Sequence, residues 1–107
     1  MRAQGFRHGW APLTVMSGDA SARVVLLDTR AHMARLGVVG SVPAAVRAQT
    51  GVSVDALLQF LEDNGFGVTN TPAAGDQTLG GVLAINGHGS SVPRPTRCAP
   101  AATRSAR

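Results

Sequence analysis

The apolar residues of this chain fall into a few distinct patterns. Val24–Asp28 (VVLLD) is a continuous apolar run closed by an acid, which predicts a buried strand ending at a loop. Ala44–Gln49 (AAVRAQ) alternates before the turn pair Thr50-Gly51, and predicts a second strand, with a further one over Leu36–Ser41. Ser53 then stands as an N-cap with Asp55 in the first turn. Val54, Leu57, Leu58 and Leu61 follow at helical spacing, and Gly65 closes the helix. Phe66–Thr69 reads as short and extended, and Asn70–Gly75 as a loop containing Pro72. Asp76 or Thr78 can cap a short apolar helix over Leu79–Ile85, which the Gly-rich, polar Asn86–Ser91 cannot continue. After Pro93 the apolar period is lost, and no internal repeat appears. Strands followed by helices define an α+β class, with a small mixed sheet flanked by helices. This set of elements is thin for a complete domain.

Composition narrows the function. The 107 residues are 44% hydrophobic and 15% charged, enough apolar content for one small packed domain. All basic residues are Arg, so a phosphate loop of the Walker type, which needs its Lys, is excluded. A single Cys, Cys98, makes neither a disulfide framework nor a Cys-based zinc site. There is no apolar run long enough to span a membrane and no apolar stretch of signal-peptide type after Met1. As it stands the chain would be cytoplasmic, while a longer parent could be secreted, so the compartment is left open.

The net charge of +4 points at first to nucleic acid. Its placement argues against that. Residues 1–93 balance six Arg against six acids, and the excess comes from Arg94, Arg97, Arg104 and Arg107 in a stretch without acids. One Trp, three Phe and no Tyr offer little surface for stacking bases. Residues 1–93 are therefore the expected folded unit and residues 94–107 a disordered Arg-rich tail.

Two Gly-rich segments stand out. In Gly5-Phe6-Arg7-His8-Gly9-Trp10 the glycines permit close backbone approach, so consecutive amides can converge on an anion. In Gly75-Asp76-Gln77-Thr78-Leu79-Gly80-Gly81, leading to Gly87-His88-Gly89, a helix N-terminus beside a Gly-rich turn reads as a pyrophosphate site. Neither matches the Rossmann fingerprint. His8, His32 and His88 have no short metal-ligand spacing, and no nucleophile motif supports a Ser-His-acid set. Taken singly, each segment is an ordinary turn and each His an ordinary loop residue.

Together the two segments resemble the FAD-binding domain of the vanillyl-alcohol-oxidase type, also called the p-cresol-methylhydroxylase (PCMH) type, and most of all covalent-flavin cholesterol oxidases. The resemblance rests on GFRHGWAPLTV (Gly5–Val15), VVLLDTRAHMARL (Val24–Leu36), and Thr50–Pro93, which carries the family's Pro, Gly, Thr, Gly-Gly, His-Gly order. It implies an FAD-dependent oxidoreductase, an alcohol (sterol) oxidase that makes hydrogen peroxide. The same fold also serves sugar-lactone oxidases and flavin dehydrogenases, and a truncated product without function is the non-enzymatic alternative. The resemblance implies that Gly5, Phe6, Arg7, His8, Gly9 and Trp10 cradle the pyrophosphate, with His8 as the covalent flavin attachment. Pro72, Gly75, Asp76, Thr78 and Gly81 would line the cofactor, and Asn86, His88 and Gly89 would lie near the flavin or diphosphate. The family has a strand before the first loop, where this chain has only Met1–Gln4, and its likeness stops near Pro93. The chain therefore resembles the first half of a flavin domain, without the substrate domain that carries the family's catalytic groups, and is expected to be inactive alone.

Overall fold

The computed structural model describes residues 1–16, 18, 23–41, 44–68 and 70–90. The expectations for residues 94–107 and for Thr69 and Ser91 lie outside them. Six elements follow in order: β1 (Arg2–Gln4), β2 (Leu26–Asp28), β3 (Leu36–Ser41), β4 (Ala44–Ala48), α1 (Val54–Asp63) and α2 (Leu79–Ala84). The class is α+β. The described strands form two two-stranded sheets, β1-β2 parallel and β3-β4 antiparallel.

Met1–Gln4 thus supplies the strand before the first loop after all. Arg2 pairs with Leu26, Ala3 with Leu27 and Gln4 with Asp28, and the ladder is closed by Arg2 N–H to Val25 O and Thr29 N–H to Gln4 O. β2 starts at Leu26, later than the apolar run, because its partner offers only three residues. The expectation that this run is buried is not met: Val25 and Leu27 are exposed and Val24, Leu26 and Asp28 only half-buried, since a two-stranded sheet has no second layer to cover it. Parallel strands need a long connection, and here that connection is residues 5–25, which include the first Gly-rich loop. In the β3-β4 pair the register shifts between Val39 and Ser41, at Gly40, whose φ of 74° suits a bulge.

Both helices are built the same way at both ends. Ser53 caps α1 by accepting from Ala56 N–H, and Thr78 caps α2 by accepting from Gly81 N–H. At the C-termini, Phe66 N–H reaches Leu61 O and Gly65 N–H reaches Glu62 O after α1. After α2, Gly87 N–H reaches Val82 O and Asn86 N–H reaches Leu83 O. These are paired Schellman closures, with left-handed Gly65 (φ 74°) and Asn86 (φ 53°) at the turning position.

The two N-termini dock on each other. Ser53 and Thr78 form an antiparallel bridge. Val54 N–H donates to Gln77 O and Asp55 N–H to Gly75 O; in return Leu79 N–H donates to Val52 O and Gly80 N–H to Thr50 O. The core lies at this junction: Val52, Val54, Leu61, Val82 and the Thr78 side chain are the buried residues around it. Leu57 and Leu58, expected on the buried face of α1, are half-buried.

Candidate functional site

The connection after β1 encloses a cavity of about 480 Å³ with the start of α2. Residues 3–9 and 11–15 line it together with Leu26 of β2 and, from the α2 side, Gln77, Thr78, Gly81 and Ile85. That volume is in the range of small-molecule and cofactor sites. No carboxylate is among its lining residues, while Arg7 and His8 are.

The wall is assembled by three restraints. Arg2 Nη1 donates to Thr14 O at 3.0 Å, which ties the far end of the connection to β1. The Arg30 guanidinium stacks over the Phe6 ring at 5.0 Å from its centroid and forms a forked pair with Asp28 at the end of β2. These hydrogen bonds, first from the Arg30 side chain and then from its backbone N–H, pull the Asp28 carboxyl down to about 2. Finally, Gly5 lies directly against Thr78: a Cβ at Gly5 would fall on the Thr78 hydroxyl. Only glycine lets the loop backbone approach the α2 cap this closely.

Among the described residues, no backbone N–H from Gly5 through Trp10 finds an acceptor. Arg7 has φ 63°, a left-handed conformation of the kind that turns successive N–H groups toward one side. A run of free amides thus stands beside Arg7, in a cavity wall without carboxylates. By contrast, the first-turn amides of α2 are spent: Leu79, Gly80 and Gly81 N–H donate to Val52 O, Thr50 O and the Thr78 hydroxyl. The helix N-terminus expected as a pyrophosphate site therefore has no free donors in its first three amides, whereas those of the first loop stay free.

The structure brings Gly5, Phe6, Arg7, His8, Gly9, Thr78 and Gly81 to one cavity. Asp76 joins through His8, whose Nε2 lies 3.0 Å from Asp76 Oδ2. Trp10 is fully exposed and outside the lining. Pro72, Gly75, Asn86, His88 and Gly89 also lie outside it. Gly75 accommodates the Asp55 side chain, Asn86 turns the chain after α2, and Gly89 packs against Asn70 and Thr71. His88 Nδ1 is 2.9 Å from Gly89 O. Sequence reasoning missed Gln4, Gln77 and the 11–15 segment as lining. The only signal for Gln4 was its place just before the loop, legible once Arg2–Gln4 is known to be a strand.

Among the described residues no group of three or more His, Cys, Asp or Glu could hold a metal ion, and no helix is long and apolar enough to cross a membrane.

This loop of unpaired amides follows a short parallel strand and faces a capped helix. The family model described as an FAD binding domain matches residues 2–99. The chain belongs to this FAD binding domain family.

Within it, the chain is similar to cholesterol oxidases. A solvent-stable cholesterol oxidase shares 52% identity with a TM-score of 0.80. The cholesterol oxidase from B. sterolicum shares 39% at 0.77, and a histidine-to-alanine mutant of cholesterol oxidase from Brevibacterium sterolicum 38% at 0.77. Each likeness covers 86% of this chain but only 17% of the other. No curated protein matches the chain.

Proposed function

We propose that the chain is the FAD-holding part of a flavin-dependent alcohol oxidase whose substrate class is the sterol 3-hydroxyl and whose second product is hydrogen peroxide. The observation that carries this reading is the run of unpaired amides from Gly5 to Gly9 on the wall of the cavity. A diphosphate supplies the acceptors those amides lack, and Arg7 adds a compensating charge. The sterol assignment is supported by the resemblance of HGWAPLT and NGHGSSVP to cholesterol oxidases and by the 52% identity to one of them.

FAD, when bound, supplies the redox chemistry, accepting a hydride from the alcohol carbon and passing electrons to oxygen. The chain's own residues bind and orient. Gly5 to Trp10 hold the diphosphate, and Thr78 and Gly81 line the cofactor from the α2 side. His8 is the covalent attachment point through a ring nitrogen, with Asp76 orienting its imidazole. Pro72, Gly75, Asn86, His88 and Gly89 shape the second flavin-facing segment. The groups that act on the alcohol belong to the family's substrate domain, so the chain by itself holds flavin without turnover.

Trp10 is the only Trp and there is no Tyr, so intrinsic emission reports on this loop alone. Titrating FAD into the chain should quench Trp10 and leave flavin absorbance with the protein after gel filtration. Unchanged emission and a colourless protein peak would reject the reading. On a denaturing gel of the FAD-loaded chain, a fluorescent band that His8→Ala removes and His88→Ala keeps supports covalency; flavin released entirely by acid rejects it.

A further inference from the structure

Gln4 is the last residue of β1 and the residue before the run of free amides. It lines the cavity. Its backbone carbonyl is engaged, accepting from the Thr29 N–H and hydroxyl. Its side chain is not: the carboxamide oxygen Oε1 is buried and has no hydrogen-bond partner among the described residues. A buried acceptor without a donor costs free energy, and such a group in a folded chain calls for an explanation. Arg2, on the same face of β1, donates from Nη1 to Thr14 O.

The missing partner must be a donor. A phosphate oxygen, itself an acceptor, does not supply one in this orientation of the carboxamide; turned over, the same group would present Nε2 and donate to it. On the reading that FAD binds here, the amides after Gln4 take the diphosphate. Consecutive Cα atoms are about 3.8 Å apart, so Gln4 reaches only the atoms next to that diphosphate. In FAD the polar groups flanking the diphosphate on either side are hydroxyls, those of the ribityl chain and of the ribose. We infer that the Gln4 carboxamide oxygen accepts a hydrogen bond from a sugar hydroxyl adjoining the diphosphate, so that the strand reads the polyol while the loop reads the charge. This assignment rests on the FAD reading and adds to it a residue that distinguishes a nucleotide from a bare diphosphate.

The test is calorimetric titration of the wild-type chain and Gln4→Met with FAD, ADP and inorganic pyrophosphate, alongside thermal melting without ligand. Methionine keeps the length of the side chain and removes the acceptor. The expected result is FAD binding weakened about three- to tenfold, the size of one neutral hydrogen bond, with pyrophosphate binding unchanged within about twofold. Unliganded Gln4→Met should melt at or above the wild-type temperature, since an orphaned polar atom has been removed. ADP distinguishes the two hydroxyl sources: weakening with ADP assigns the ribose, and weakening with FAD alone assigns the ribityl chain. Equal weakening of FAD and pyrophosphate, or a lower melting temperature, would make Gln4 structural and overturn the assignment. Unchanged FAD binding in the variant overturns it while the FAD reading stands. A wild-type chain that binds neither FAD nor pyrophosphate removes both.

Discussion

His8 Nε2 and Asp76 Oδ2 lie 3.0 Å apart, joining the loop after β1 to the loop before α2. Two segments that look separate in the sequence meet at this pair, a direct side-chain link between them. It also engages one ring nitrogen and leaves Nδ1 for other chemistry.

Both side chains are substantially exposed, at 37% and 65%. Asp76→Asn should therefore change the unfolding free energy by less than about 1 kcal/mol. Its effect should instead appear at the flavin: slower growth of the fluorescent band on denaturing gels than in wild type. A large loss of stability with an unaltered rate of flavin attachment would show that Asp76 only braces the fold.

Gly5 and Thr78 define the closest approach in the site. Gly5→Ala should destabilise the chain by about 1–3 kcal/mol through overpacking. Thr78→Ala removes the hydroxyl and methyl that the new Cβ would meet, so the double variant should be more stable than the sum of the single changes. Strict additivity in urea unfolding would place the Gly5 effect in the loop backbone.

The helix caps are expected to act as one unit. Ser53→Ala should cost about 1 kcal/mol and Thr78→Ala about 2 kcal/mol, since the Thr78 side chain is buried while Ser53 is only half-buried. Because the two caps bridge each other and each helix feeds its first amides to the other's approach segment, their losses should be non-additive. Independent losses in a double-mutant cycle would mean that the two N-termini hold separately.

Asp28 has its carboxyl lowered from 3.8 to about 2, chiefly by the Arg30 side chain. A lowered carboxylate contributes stability that is complete above its ordinary value and fades as pH falls through about 2. The Asp28–Arg30 pair, and the stacking of Arg30 on Phe6, should thus survive to near pH 2, as a carboxyl carbon NMR titration would show. Arg30→Ala should move the Asp28 midpoint only part of the way back, because the backbone N–H of residue 30 still donates. A midpoint already at the ordinary value in wild type would mean that the pair does not persist in solution.

Local chemistry alone was enough for several features. Ser53 and Thr78 are caps because a short hydroxyl can accept from a first-turn amide, and Gly65 ends a helix because it tolerates a positive φ. Leu36–Ser41 and Ala44–Ala48 were legible as strands from alternation and turn chemistry. The sequence order of the two Gly-rich segments also carried the family, since that order is linear information. What no local rule reached was pairing. Arg2–Gln4 has no apolar signature and is a strand only because β2 lies beside it. Gly75 and Gly80 look like phosphate-loop glycines, yet their backbone groups serve the helix junction, a fact fixed by Asp55 and Thr50 arriving from elsewhere. The cavity and the orphaned oxygen of Gln4 belong to the same class of fact. Which amides are free and which are spent depends on what the fold places opposite them, and only the tertiary structure decides that.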